Sequence, residues 1–313
     1  MRTEKDRRNE SPFAKATSLL PPFFRRHRLI AAVPRIFRSL KIVTFRFNGT
    51  ALITADISDP AARQALITRT FEPEFFAMAE AFLVKGTAFL DIGANHGFCT
   101  FGLIARDVYE GISYHVFEAN THLCETLKQS LELYPGKTIF INNNCVSDRD
   151  GKSTLHIEEG HWGGSYISNN DSDQIVTNVV LDDYIHDKHI SRVSFLKMDI
   201  EGHEIHALRG LEKSIRGGLI GAMYIECSGP NLERQGSSAA ELIGILRQLD
   251  CALYWCKDDD FNIGLAPRFK TVSPNGLGSV RLAPIQDFPS AHQTDLLAIP
   301  AAGMFNGYFT HDR

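Results

Sequence analysis

A chain of 313 residues is long enough to bury one large α/β domain or two smaller ones, and 43% apolar with 22% charged residues is a globular composition. That balance excludes a disordered chain, a collagen-like fibre and a disulfide scaffold. The net charge of −4 is unevenly placed: residues 1–46 hold 12 Lys and Arg against 3 Asp and Glu, and the remainder is acidic.

Residues 1–40 are basic and interrupted by Pro21, Pro22 and Pro34. They are expected to form a solvated N-terminal arm, with weak attraction to anionic lipid as its expected partner contact. No uncharged run is long enough to span a bilayer, and no small-residue cleavage site follows residues 29–33. A preface over 41–86 begins with alternating apolar and polar residues around Asn48-Gly49, a pair suited to a type I′ hairpin turn. A helix is predicted over 72–85, where Phe75, Phe76, Met78, Ala79, Phe82 and Leu83 recur at helical spacing before Gly86.

From Thr87, short apolar runs alternate with amphipathic stretches, the pattern of parallel strands joined by crossover helices. Strands are predicted at TAFLDIG (87–93), YHVFEA (114–119), TIFINN (138–143), SFLKMDI (194–200), GAMYIEC (221–227), CALYWC (251–256) and DLLAIP (295–300). Helices are expected at 97–109, 120–133, 203–215 and 238–249. Residues 152–185 break the rhythm and read as added strands and a surface loop. The expected domain therefore spans 87–302, a seven-stranded, mostly parallel sheet with helices on both faces, followed by a tail at 303–313. The six cysteines contain no C-x-x-C pair and sit mostly in apolar patterns, which points to reduced thiols and a cytoplasmic protein.

Three segments carry chemistry. Asp91-Ile92-Gly93-Ala94-Asn95-His96-Gly97 lies where a parallel strand turns into a helix, and a helix N-terminus offers free N–H groups to an anionic ligand. A dinucleotide fingerprint would need G-x-G-x-x-G, but position 95 is Asn and position 98 is Phe, which disfavours a nicotinamide-dependent oxidoreductase. Glu118 ends the following strand, where a carboxylate can accept both hydroxyls of a ribose. In FLKMDIEGHEIHALRG (195–210), Asp199 falls at the carboxyl end of a buried strand. Glu201 and Glu204 flank the turn at Gly202, where helix capping accounts for part of the acidity.

In this order and spacing, FLDIGANHGFCTFGLIA, VFEAN and LKMDIEGHEIHALRGL resemble the FkbM family of S-adenosylmethionine-dependent methyltransferases. The intervening NNNCVSDRDG and VVLDDYI fit as well, so the resemblance covers about residues 85–302. It implies a Rossmann-like class I methyltransferase fold, whose last strand is antiparallel, and S-adenosyl-L-methionine as cofactor. By position it implies that Gly93, Ala94, Asn95 and Gly97 line the methionyl part and that Asp91 orients its ammonium. Glu118 would hold the ribose, Asn144 and Cys145 would meet the adenine, and Asp199 would lie near the sulfonium and the transferred methyl. The family commonly has Pro after the ribose-binding Glu, where this chain has Ala119.

Methyl transfer asks for positioning and a base on the acceptor. His96, His161, His203 and His206 are the histidine candidates, with His161 favoured because GHWGGSY (160–166) could cover an acceptor. His203-x-x-His206 without a Glu base or paired cysteines does not make a metal site, so no metal is expected. The expected reaction is O-methylation of a hydroxyl on a sugar, glycan or secondary metabolite. A non-catalytic methyltransferase-like binding module is the other alternative. Nucleic acid is an unsuitable acceptor for the acidic domain, and the oligomeric state is not readable.

Overall fold

The computed structural model describes residues 10–19, 30, 32, 37–106, 111–168, 170, 173–256, 269–286 and 293–309. The hairpin strands β1 (Ile42–Phe47) and β2 (Ala51–Asp56) meet at Asn48-Gly49, both at positive φ as a type I′ turn requires. In chain order there follow β3 (Ala88–Ile92), β4 (Ser113–Phe117), β5 (Ile139–Asn142), β6 (Cys145–Ser147), β7 (Lys152–His156), β8 (Tyr166–Ser168) and β9 (Gln174–Val180). The rest are β10 (Val193–Met198), β11 (Ile220–Ser228), β12 (Cys251–Trp255), β13 (Lys270–Val272), β14 (Val280–Pro284) and β15 (Gln293–Pro300).

The main sheet runs β13-β14-β12-β15-β11-β10-β3-β4-β5. The central strands β5, β4, β3, β10 and β11 are parallel, and β15 inserts antiparallel between β11 and β12. All seven expected strands are present, and β13 and β14 extend the sheet to nine. The chain runs outward from β3 to β5 and then restarts on the other side of β3 with β10, so the order reverses between β3 and β10. A crevice opens at such a switch point, at the carboxyl ends of the strands.

The expected helices appear at Phe98–Arg106, Thr121–Leu131 and Ala239–Gln248, but the one expected at 203–215 is two. Helix Glu204–Arg209 ends at Gly210, whose carbonyl accepts the Asp182 amide N–H, and the Asp182 carboxylate then caps the next helix through Lys213 and Ser214 N–H. Within 152–185, β7 to β9 join the preceding β6 in a separate four-stranded sheet in the order β6-β9-β7-β8. The apolar period changes from two to helical spacing after Val180, so Leu181–Asp187 is a helix burying Leu181, Tyr184 and Ile185 rather than more strand.

The N-terminal segments are built into this core. Helix Pro12–Leu19 buries Ala14 and Thr17, Ile30 is buried as well, and Ser11 N–H donates to the Thr44 carbonyl of β1. The described part of the arm is therefore packed rather than solvated. An unpredicted helix, Pro60–Thr68, is capped by Asp59. The predicted preface helix spans Pro73–Phe82 and packs Phe75 against Phe89, Phe195 and Tyr224. Phe305 and Phe309, from the expected tail, close on Phe82, and helix Asn306–Phe309 forms there. All six cysteines are buried, and none is in a disulfide. Among the described residues no helix is long and apolar enough to cross a membrane.

The free edge of β2 is satisfied by side chains. The Tyr134 hydroxyl accepts from Leu52 N–H and donates to the Leu52 carbonyl, both at 2.7 Å, while Ser130 serves Thr54 in the same way. Burial pushes the Tyr134 phenol up to about 12, so it stays protonated for this double role. Tyr134→Phe leaves both Leu52 groups unpaired and should lower stability by about 1–3 kcal/mol in urea unfolding.

Candidate active site

The tips of β3 and β10 form the floor of the crevice. Register places Lys197 beside Asp91, and the Asp199 N–H donates to the Ile92 carbonyl at 3.0 Å. Gly93 follows with φ +77, and a Cβ there would overlap the Asp199 carbonyl oxygen. This glycine is therefore required first by the close approach of two strand tips, before any ligand arrives. The Phe117 carbonyl at the end of β4 accepts both Gly93 and Ala94 N–H groups. At Gly97 a Cβ would meet Leu127 and Phe101, so that glycine faces the helix packing and does not line the cavity.

Glu118, 8% exposed, is held at both oxygens. Oε2 accepts Asn95 N–H at 2.7 Å and Oε1 accepts Asn120 N–H at 2.8 Å. The Ala119 carbonyl is fixed in turn by the Asn143 and Gln174 amides, so the absence of the family's Pro leaves the strand tip tied down. Burial pushes the Glu118 carboxyl up to about 7, against the pull of its two backbone donors.

Above this floor lies a cavity of about 300 Å³, the lower end of the range for small-molecule sites. Glu118, Asn144, Cys145 and Leu155 line one end, and Gly93, Ala94 and Asn95 the middle. Lys197, Asp199, Glu201 and Glu226 line the other end, and residues 161–163 and 165–167 complete the lining. Of the residues expected from sequence, Gly93, Ala94, Asn95, Glu118, Asn144, Cys145, Asp199 and His161 meet here. Asp91 does not reach the wall: it is fully buried, accepts the Thr100 hydroxyl at 2.6 Å, and burial raises its pKa.

The histidines separate. His96 is fully buried against Thr126 and His203 is 7% exposed against Ser147; desolvation drops both to about 4, which keeps them neutral. His206 pairs with Asp148 outside the cavity. His161 sits exposed at the mouth, 3.2 Å from Glu158. Glu204 is a capping residue, accepting Ile200 and Gly202 N–H groups, whereas Glu201 faces the cavity and is held by Asn231 and Arg234.

Sequence reading missed Lys197, Glu226 and the preface residues Phe71 and Glu72. Period-two alternation places Lys197 on the same face as Asp199, and the two join at 2.9 Å, so a lysine inside a fully buried strand was the available signal. Glu226 stands one step beyond the paired Met198 and Ile225, at the same strand-tip height as Asp199. Burial first, then Asp199, Glu201 and Glu204, push it up to about 9. Nothing local marks Glu72, since only the folded preface carries it to the cavity. Among the described residues no cluster of His, Cys, Asp and Glu is arranged to hold a metal ion.

The strand order, with its single antiparallel insertion at β15 and a carboxylate at the tip of β4, is that of a class I S-adenosylmethionine-dependent methyltransferase. The chain belongs to the FkbM methyltransferase family, whose methyltransferase FkbM domain matches residues 91–251, just over half of it. Among solved structures, the methyltransferase FkbM from Methylobacillus flagellatus KT is similar at 18% identity and TM-score 0.41, over 72% of this chain and 55% of that one. This chain thus spans little more than half of that protein. An S-adenosylmethionine-dependent O-methyltransferase from Thermotoga maritima is similar at 13% identity and TM-score 0.37, over 82% and 76% of the two chains. M. jannaschii TYW2, solved in complex with AdoMet, is similar at 10% identity and TM-score 0.36, over 83% and 87%. No curated protein matches the sequence.

S-adenosylmethionine is the cofactor, and the residues present fit it. The Glu118 carboxylate, fixed by two backbone donors, keeps lone pairs for a ribose diol, and the loop Gly93–Asn95 leaves the middle of the cavity clear. Two predictions follow from this geometry. Because folding raises the Glu118 pKa from 4.5 to about 7, its contribution to stability is present below about 4.5 and is lost as pH rises through 7. Ribose hydroxyls donate best to the ionised form, so S-adenosylmethionine affinity should rise between about pH 6 and 8, and Glu118→Gln should flatten that profile and weaken binding by about 1.5–3 kcal/mol. Gly93→Ala should lower the melting temperature even without cofactor, because its clash is with Asp199 itself.

Proposed function

We propose that this protein transfers a methyl group from S-adenosylmethionine to a hydroxyl oxygen of a sugar, glycan or secondary metabolite. The observation that carries this reading is the wall at the Asp199 end of the cavity. Asp199, Glu201 and Glu226 face one space, with Tyr166 at its edge and the Arg234 guanidinium 4.0 Å over the Tyr166 ring. Glu226, protonated at neutral pH, donates as well as accepts hydrogen bonds, while ionised carboxylates accept from hydroxyls. Polyhydroxylated acceptors match such a wall, and polyanions such as nucleic acid are repelled by it.

The bound cofactor supplies a methyl on a sulfonium already primed to leave. The protein must then hold the acceptor oxygen in line and take its proton. We assign that role to Asp199, held by Lys197 Nζ, with His161 as the second candidate proton acceptor; both residues line the cavity, which supports the assignment. Outside the domain, the basic charge of residues 1–46 is proposed to add a weak, salt-sensitive attraction to anionic lipid.

The test uses S-adenosylmethionine carrying an isotopically labelled methyl group against paired hydroxyl and amine acceptors: sugars, glycans and phenols with their amino counterparts. Label is expected on a hydroxyl oxygen. Asp199→Asn should lower kcat by about 10²–10⁴-fold, the usual contribution of a positioned acid or base. Label appearing only on amines or on nucleic acid would contradict the reading.

A further inference from the structure

We infer that Glu226 is a specificity-determining residue: it holds the oxygen next to the acceptor hydroxyl, and so selects hydroxyls that carry a second oxygen on the adjacent carbon. The inference rests on the hydroxyl-methylation reading and narrows it to one class, the vicinal diols and their monoethers. In the parallel register of β10 and β11, Lys197 pairs with Tyr224 and Met198 with Ile225. Asp199 lies on the face of Lys197, which it meets at 2.9 Å, and period-two alternation carries Glu226 to the face of Tyr224. Asp199 and Glu226 thus leave neighbouring strand tips on one face, with backbones about 4.8 Å apart. Both line the cavity.

The two carboxyls are held differently. Asp199 accepts from Lys197 Nζ, a cation that favours its ionised form. Among the described residues the hydrogen-bond partners of Glu226 are two amides, Gln293 Nε2 at 3.2 Å from Oε1 and Asn231 Nδ2 at 3.5 Å from Oε2. The charged groups around it are mostly acidic: Asp199, Glu201 and Glu204 act on it from the tip of β10 and the turn beyond, and Asp295 stands opposite on β15. The cations of this wall are engaged elsewhere, Lys197 by Asp199 and Arg234 by Glu201. Burial and the acidic neighbours push the Glu226 carboxyl up to about 9, so at pH 7 the side chain is a neutral acid.

A neutral carboxylic acid has an O–H to give, and an amide N–H that donates to it does not accept that proton. The ionised Asp199 beside it is the complementary partner, an acceptor without a proton. A hydroxyl bound at Asp199 points its proton there, and the substituent on its next carbon comes within reach of Glu226. An oxygen at that position, whether hydroxyl or ether, accepts from the Glu226 O–H. A C–H in its place leaves the acid unpaired in the cavity wall, and a site built to bond an oxygen rejects the analogue that lacks it. During transfer the acceptor oxygen bonds to the methyl carbon as the carbon–sulfur bond breaks. Its proton passes to Asp199, while Glu226 keeps its own throughout.

Steady-state kinetics of the full chain with methyl-labelled S-adenosylmethionine test this role in wild type, Glu226→Gln and Glu226→Met. One probe series is catechol, its monomethyl ether and phenol; the other is a tetrahydropyran diol with adjacent hydroxyls, its monomethyl ether and the corresponding monohydroxy compound. In the series it methylates, wild type should favour the diol and the monoether over the lone hydroxyl by at least about tenfold in kcat/KM. Glu226→Gln, whose amide N–H donates as the acid does, should keep that preference, and Glu226→Met, of similar length without a donor, should bring the ratio to about one. Each ratio is taken within one protein, so a change in folded fraction cancels. A ratio near one in wild type, a preference that survives in Glu226→Met, equal loss in both variants, or a diol preferred without its monoether would each overturn the role. Methylation of neither series by wild type would instead overturn the hydroxyl-methylation reading, and this role with it.

Discussion

The contact between the tips of β3 and β10 is the constraint on which the rest of the site depends. Two parallel strands run side by side in register, and the loop leaving β3 must pass directly over the Asp199 carbonyl. Only a residue without a Cβ and at positive φ makes that passage, which is why Gly93 stands there. The same turn delivers Gly93 and Ala94 N–H groups to the Phe117 carbonyl and Asn95 N–H to Glu118. One steric requirement thus links β10, β3 and β4, and sets Asp199 and Glu118 at opposite ends of one cavity.

That core would still be open without two additions. The inserted sheet β6–β9 brings Cys145 and Leu155 to the Glu118 end, and the chain from β7 into β8 adds His161, Trp162 and Tyr166 to the wall. The preface closes the far side with Phe71 and Glu72. Its attachment is apolar and aromatic through Phe75 and Phe82, and polar where Tyr134 and Ser130 occupy the edge of β2. A two-stranded hairpin is marginal alone, so this packing is what holds the preface in place against the cavity.

The parallel core was legible because β3, β4 and β10 are mostly apolar runs followed by glycine or an acidic residue, and the crossover helices carry their own period. Gly93, Glu118 and Asp199 could be placed because they end such runs. What escaped depends on contacts distant in sequence. The split after Arg209 arises from Asp182, whose N–H takes the Gly210 carbonyl and whose carboxylate caps the following helix. The burial of Ala14, Ile30, Phe305 and Phe309 depends on surfaces formed by other segments. Asp91 was misplaced for a related reason: the motif gives its position in the chain but not its full burial or its hydrogen bond from Thr100. Lys197 was visible as a letter, but its importance shows only once Asp91, Asp199 and Glu72 surround it.

The identity of the ligand held between Glu118 and Asp199 is the central claim, and calorimetric titration of the full chain with S-adenosylmethionine and, separately, with NAD tests it most directly. A single saturable site for S-adenosylmethionine with no heat from NAD is the expected result, since the loop after β3 lacks the glycines a dinucleotide pyrophosphate needs. Saturable binding of NAD with none of S-adenosylmethionine would contradict it.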